Sequence, residues 1–431
     1  MRNSIIRRLQ KTRGFEVVTA PEDADIRIRG TGRIWVTGHI TTNPRTHVSQ
    51  PTFSGFLSVE ALGKNGETLW SYLVTPSQVF WNGISDDLAE QVVNKMTVAL
   101  NESQPNLSHA TLPTQGHLKG AGATFPAPIY RSWFESFEDR NPNLRISYDP
   151  VGSGEGLQLL KERAVDFGAS DMPLSDKAMQ GFPQRLLQIP TVLGAVAIIY
   201  NVGGRHQSLN FTPEILSGIY LGTIRKWNDP EIAKANHDAV LPAEDIVVVH
   251  RSDGSGTSFA FTDYLSKISS QWKASVGAGT DVRWPVGIAA QGNEGVASAV
   301  QRTPDSIGYV EFIYALQHEL SFGAVRNAAG LFIKPSIASV TEAAATATGN
   351  RNDLRASITN APGKEAYPIS TYTWLLIPEK IEGADRKNAI AGLLHWILTT
   401  GQKKCSALGY APLPTEVARQ ALSSVGSLTN N

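Results

Sequence analysis

Three times between residues 118 and 260 the chain repeats one local pattern: a short apolar run, a loop of glycine and hydroxyl residues, then the start of a helix-like run. Leu118-Lys119-Gly120-Ala121-Gly122-Ala123-Thr124-Phe125-Pro126 leads into the amphipathic stretch 129–137. Ile146-Ser147-Tyr148 passes through the loop Val151-Gly152-Ser153-Gly154-Glu155-Gly156 into a helix at 157–160. Val249-His250-Arg251 enters Ser252-Asp253-Gly254-Ser255-Gly256-Thr257 where a further helix begins. Strands that alternate with helices predict α/β layers, and in such layers ligands sit at the carboxyl ends of strands, where the helices start.

The loops predict the chemistry of the ligand. Backbone N–H groups in the first turn of a helix have no partner within it and carry partial positive charge, so they hold an oxyanion without a bulky side chain. Gly254 and Gly256 let the backbone come close, Ser255 and Thr257 add hydroxyl donors, and Arg251 brings a planar fork of charged donors. By itself the Arg251 segment reads as a glycine-rich turn with a hydroxyl cap. Two further cradles of the same build, at Thr124-Phe125 and at Ser153, favour an oxyanion site. Gly152-Ser153-Gly154 is not the dinucleotide fingerprint, because its third glycine comes too early. Asp171, at the end of the small-residue run Asp166-Phe167-Gly168-Ala169-Ser170, either opens the Pro173 turn or accepts a hydrogen bond from an ion that still carries a proton. Orthophosphate carries one at neutral pH and sulfate does not, so a lone acceptor selects between them. Arg251 is the expected salt partner that keeps Asp171 ionised.

With Ile219-Tyr220-Leu221-Gly222-Thr223-Ile224-Arg225-Lys226-Trp227 and Ile307-Gly308-Tyr309-Val310-Glu311, these segments make residues 118 to 420 resemble the phosphate-binding subunit of bacterial high-affinity phosphate ABC importers. The resemblance implies a two-lobed periplasmic-binding-protein-like α/β fold, two doubly wound lobes joined by hinge strands, closing on one dehydrated phosphate. It implies that Thr124, Phe125, Ser153, Ser255, Gly256 and Thr257 donate to the phosphate, that Asp171 accepts its proton, and that Arg251 is the charged donor tied to Asp171. It further implies a monomer that hands phosphate to membrane permease subunits, in the periplasm or cell envelope, with no catalytic residues, cofactor or metal. One departure is visible: where the family often has Gly-Ser-Ser-Gly-Gly, this chain has Gly152-Ser153-Gly154-Glu155-Gly156, an extra negative charge near the helix start.

The 431 residues exceed one ordinary domain. Residues 1–101, outside the resemblance, read as a small α+β accessory domain. A helix holds Ile5, Ile6 and Leu9, and strands are expected at 15–18, 25–30, 32–37, 56–62 and 68–74. A hairpin turn falls at Lys64-Asn65-Gly66-Glu67, and a closing helix over 84–100 is capped by Ser85. Trp35, Trp70 and Trp81 read as core. A linker at 102–117 precedes lobe one (118–193 plus 368–420), lobe two (194–367) and a tail (421–431). Thirty-nine basic and 39 acidic residues argue against a nucleic-acid or membrane-surface binder. A single cysteine, Cys405, excludes an internal disulfide, and the nine histidines lack metal-ligand spacing. Residues 1–14 show no apolar leader, so the expectation is a native start upstream, with the leader and a first strand. Two competing functions are a phosphate-ester hydrolase with Ser255 or Ser153 as nucleophile, and an envelope interaction protein acting through residues 1–101. Neither serine sits in a G-x-S-x-G elbow, and His250, next to Arg251 on a strand, is expected on the opposite face.

Overall fold

A computed structural model describes the chain except residues 13–14, 19, 21–22, 44–47, 78–80, 102–115, 204–206, 349–353 and 431. It forms two compact units, one of the N-terminal elements with the short segment Lys403–Gly409, the other of nearly all the rest from Gly116 on. Of the linker expected at 102–117, residues 102–115 lie outside the described residues, and Gly116 and His117 already belong to the strand Gly116–Gly122.

The N-terminal unit is an antiparallel three-stranded sheet, Arg27–Asn43, Val48–Leu62 and Thr68–Val74 in that order, with the helices Arg2–Leu9 and Trp81–Asn101. Alternating strand residues Leu57, Val59 and Val74 meet Leu88 and Val92, one helical turn apart, while Leu9, Ala61, Val93 and Met96 form a second cluster. The expected turn holds: Gly66, at φ +79°, reverses the chain between the second and third strands. Four expectations fail. The runs 25–30 and 32–37 join in one strand from Arg27 on, because Thr31 and Gly32 pair with Ser58 and Leu57 and the ladder continues across them. Phe15–Val18 is not a strand; Phe15 and Val17 pack on the second cluster instead. The closing helix begins at Trp81, which puts Ser85 inside it rather than at its cap. Trp81 is 57% exposed, its ring 4.9 Å from Phe53, whereas Trp70 does pack against both clusters.

The second unit is built on one nine-stranded sheet that contains two parallel triplets. Leu144–Asp149, Gly116–Gly122 and Phe167–Ser170 lie side by side and parallel, as do Ile288–Ala290, Val247–Arg251 and Ser306–Glu311. Two antiparallel strands join them. Leu186–Asn201 pairs through its first ten residues with Ser370–Pro378 and through its last six with Ser306–Glu311. It is buried without interruption from Ile189 to Tyr200, which is why its sequence is continuously apolar instead of alternating. Helices follow the triplet strands: Ala127–Glu138, Ser153–Lys161, Gly256–Ile268, Gly292–Arg302 and Phe312–Gln317. The helix expected from Leu157 starts at Ser153, so the second loop is shorter than its glycines suggest. The helix Ala384–Trp396 and the wider turn Ile397–Gly401 bury Ile390, Leu393, Leu394 and Ile397, and Thr415–Asn430 is the last helix. Among the described residues no helix is long and apolar enough to cross a membrane.

Candidate functional site

The carboxyl ends of all six triplet strands converge on one buried polar cluster. The strand ending at Gly122 delivers Thr124 and Phe125, that ending at Asp149 delivers Ser153, and that ending at Ser170 delivers Asp171. From the other triplet come Arg251 with Ser255, Gly256 and Thr257, then Asn293 beyond Ala290, and Glu311 itself. All eight residues expected at the site are buried.

The loops of the two triplets touch. Gly154 N–H donates to Gly254 C=O at 2.7 Å, and Ser153 Oγ accepts from Gly256 N–H at 3.1 Å and from Asp171 N–H at 3.3 Å. A Cβ at Gly256 would stand 2.5 Å from Ser153 Oγ and 2.6 Å from Asp171 Oδ2, so only glycine allows this approach. Ser255 caps the helix Gly256–Ile268 by accepting from Ser258 N–H at 3.0 Å. Phe125 is placed differently from a side-chain ligand: its ring packs edge-on to Tyr410 and its carbonyl accepts from Tyr410 Oη at 2.6 Å. Only its backbone N–H is left for an anion. Glu155, the departure noted above, is exposed in the first turn of its helix.

The electrostatics correct one expectation. Arg251 does not pair with Asp171; its fork closes on Asp253, with Nε donating to Oδ1 at 2.7 Å and Nη2 donating to Oδ2. Asp253 sits two residues on, where both oxygens meet the planar guanidinium, and it also accepts from Gly292 N–H at 3.0 Å. Burial raises the Asp253 pKa, but the hydrogen bonds and charge of Arg251 outweigh it and hold the carboxyl below its ordinary value. Asp171 is left with less compensation. Its Oδ1 accepts from Thr373 Oγ1 at 2.5 Å, while its buried Oδ2 has no hydrogen-bond partner. Burial pushes its pKa up to about 7, against the opposing pull of the Thr373 bond and the Arg251 charge. The cluster thus offers amide, hydroxyl and guanidinium donors beside the unpartnered Oδ2 of Asp171, a set suited to a small oxyanion that carries hydrogen.

Asp253, Thr373, Asn293 and Glu311 escaped the loop-by-loop sequence reading. Asn293 was within reach: Ile288-Ala289-Ala290 followed by Gln291-Gly292-Asn293 and a helix is a fourth copy of the same pattern, disguised by a strand of three residues. Asp253 stood inside the quoted loop, but nothing in linear sequence chooses it over Asp171 as the arginine's partner. Glu311 closes the last strand; its Oε2 accepts from Ile313 N–H at 2.9 Å, its Oε1 is unpartnered, and burial holds its pKa well above the ordinary range. His250 does face away from the cluster, its ring stacked 5.0 Å from that of Trp284.

Known proteins are similar to this chain in sequence and fold. The family described as PBP superfamily domain matches residues 107–400. The phosphate-binding protein PstS of Xylella fastidiosa (strain Temecula1) is 41% identical over 305 residues, 70% of this chain and 83% of that protein. PstS of Pasteurella multocida (strain Pm70) is 40% identical over 312 residues, 72% and 90% of the two chains. Among solved structures, the high-affinity periplasmic phosphate-binding protein PfluDING, bound with phosphate, superposes with a TM-score of 0.58 at 20% identity, covering 72% of this chain and 94% of that one. At that identity the likeness speaks for the two-lobed fold alone. The family match and the two relatives carry further: this chain belongs to the PBP superfamily and, within it, to the phosphate-binding proteins named PstS.

Proposed function

We propose that the chain binds inorganic phosphate in the cleft between its two parallel triplets and delivers it to the membrane permease of a phosphate ABC importer, acting in the periplasm or cell envelope as a monomer and not as an enzyme. The observation that carries this reading is Asp171: a buried carboxylate whose Oδ2 has no partner, set beside the donor loops of Thr124, Ser153 and Arg251. A fully ionised tetrahedral anion would set a lone pair against that oxygen, at a cost of about 1–3 kcal/mol, whereas a phosphate oxygen that keeps its hydrogen donates to it. The proposed roles are these: Thr124, Ser153, Ser255 and Thr257 donate through hydroxyls, Phe125 through its backbone N–H, Gly256 through a backbone N–H that here is given to Ser153 Oγ, Arg251 through its guanidinium, and Asp171 accepts.

The relatives' names and the donor-rich cluster both support this role. A serine nucleophile is a poorer fit, since Ser255 Oγ is occupied as a helix cap and His250 Nδ1 lies 3.0 Å from the carbonyl of Arg251, away from both serines. Calorimetry on the purified chain is the test. Phosphate should bind in a one-to-one ratio while sulfate at the same concentration gives no heat of binding. Equal binding of the two anions, or turnover of a chromogenic phosphate ester, would remove the proposal.

A further inference from the structure

Asn293 is buried and belongs to none of the expected donor loops, yet its amide spans them. Its Nδ2 donates to Thr124 Oγ1 at 2.9 Å and to Thr257 Oγ1 at 3.2 Å. The amide is held in one orientation: its other end accepts from the backbone N–H of Glu311 at 2.9 Å, and a backbone nitrogen is always a donor, so that end is oxygen. The nitrogen therefore faces both hydroxyls.

Each hydroxyl has one proton to give and two lone pairs to offer. At Thr257 both lone pairs are taken, by Asn293 Nδ2 and by Arg251 Nη1 at 3.3 Å, and neither of those groups accepts a hydrogen bond. At Thr124 the amide takes one, and the Asn293 backbone N–H approaches the same oxygen at 3.4 Å. No described residue accepts the proton of either hydroxyl. Each must give that proton outward, to whatever occupies the cleft.

We propose that Asn293 is a specificity-determining positioning residue: by donating both amide protons it fixes Thr124 and Thr257 as donors, so that neither hydroxyl takes a proton from the ligand and the site favours the less protonated phosphate. This rests on the phosphate reading above. Asp171 then accepts the single proton of the dibasic ion, while the second proton of the monobasic ion finds no acceptor at these two threonines.

Two variants separate the hydroxyl-orienting role from simple charge or packing. Asn293→Asp keeps the shape and the acceptor for Glu311 N–H but replaces the donor with a negative oxygen; Asn293→Leu removes the donor without adding charge. Phosphate dissociation constants are measured by calorimetry on the full chain at pH 5.5, 7 and 8.5, after ligand-free melting and circular dichroism establish which variants are folded. Both variants should lose about tenfold or more in phosphate affinity at pH 8.5 and clearly less at pH 5.5, tilting the pH profile toward acid relative to the parent. A tilt in Asn293→Asp alone reports repulsion of the more highly charged ion and overturns the inference. An equal loss at every pH makes Asn293 merely structural and overturns it as well. If Asn293→Leu does not fold, Asn293→Ser takes its place with the same criteria. A parent chain that binds no phosphate at any pH fails the functional reading itself, and this inference with it; normal phosphate binding by the parent with untilted variants fails the inference alone.

Discussion

The two parallel triplets divide the work of the site unequally. The triplet Leu144–Asp149, Gly116–Gly122, Phe167–Ser170 brings neutral donors and Asp171, a carboxylate with one unpartnered oxygen. The triplet Ile288–Ala290, Val247–Arg251, Ser306–Glu311 brings the positive charge, but pairs it at once with Asp253. Both sides offer a strand end, a glycine loop and a helix start, so the backbone contributes similarly from each. What differs is how the buried charges are compensated. Arg251 is matched within its own loop and stands ready as a neutral-sum donor, whereas Asp171 is matched only by Thr373 and retains an unmet demand for a hydrogen.

Substitutions can break that asymmetry, the most damaging first. Arg251→Ala leaves the partly buried Asp253 without its counter-charge, and breaking such a pair costs up to about 3–5 kcal/mol. Melting temperature and phosphate affinity should both fall sharply; a loss no larger than that of a single serine change would show that the charged side is peripheral. Gly256→Ala comes next. Its Cβ would collide with Ser153 Oγ and Asp171 Oδ2, forcing the loops apart at about 1–3 kcal/mol. Calorimetry should show weaker phosphate binding, and unchanged affinity would mean that the loops need not close this tightly.

Asp171→Asn is expected to cost about 1–3 kcal/mol of phosphate binding, roughly tenfold to a hundredfold, because an acceptor becomes a mixed group. Sulfate discrimination should shrink in the same titrations; retained discrimination would move the selecting role elsewhere. This variant also has a signature without ligand. The Asp171 pKa is raised to about 7 in the folded chain from roughly 3.9 in an unfolded one, so the folded state holds its proton more tightly. The corresponding stability is fully present below about pH 4 and is lost as pH rises through about 7. Melting curves of the ligand-free parent should fall across that window, and those of Asp171→Asn should fall less. A remainder is expected from Glu311, which burial shifts in the same direction. Identical slopes would show that Asp171 is ionised throughout. Ser153→Ala is the mildest, about 1 kcal/mol, since its hydroxyl is one neutral donor among several.

Much of the fold was legible because the relevant signals are local. Glycine-and-hydroxyl loops between an apolar strand and a helix are short enough to read directly, and they singled out Thr124, Ser153 and the Arg251 loop, which the fold brings together. The apolar run Val192–Tyr200 is likewise a local signal, and the strand it forms is buried throughout that stretch. The failures are equally physical. Ladder pairing with Val48–Leu62 merged two expected strands of the N-terminal unit into one, because a glycine that suggests a turn in isolation can sit in a strand once its backbone is paired. A strand of three residues hid the helix start that carries Asn293.

Residue types and their order in the chain determined that several helix starts present backbone donors beside small and hydroxyl residues, because these residues and a helix cap act over a few positions. Tertiary structure alone decided how the charges pair. Asp171 and Asp253 are chemically alike and flank Arg251 at 80 residues and at 2, yet the choice between them depends on which carboxylate meets the guanidinium plane in space. The same is true of Asn293, 169 residues from Thr124 and 36 from Thr257: its role exists only where strand ends from both triplets converge.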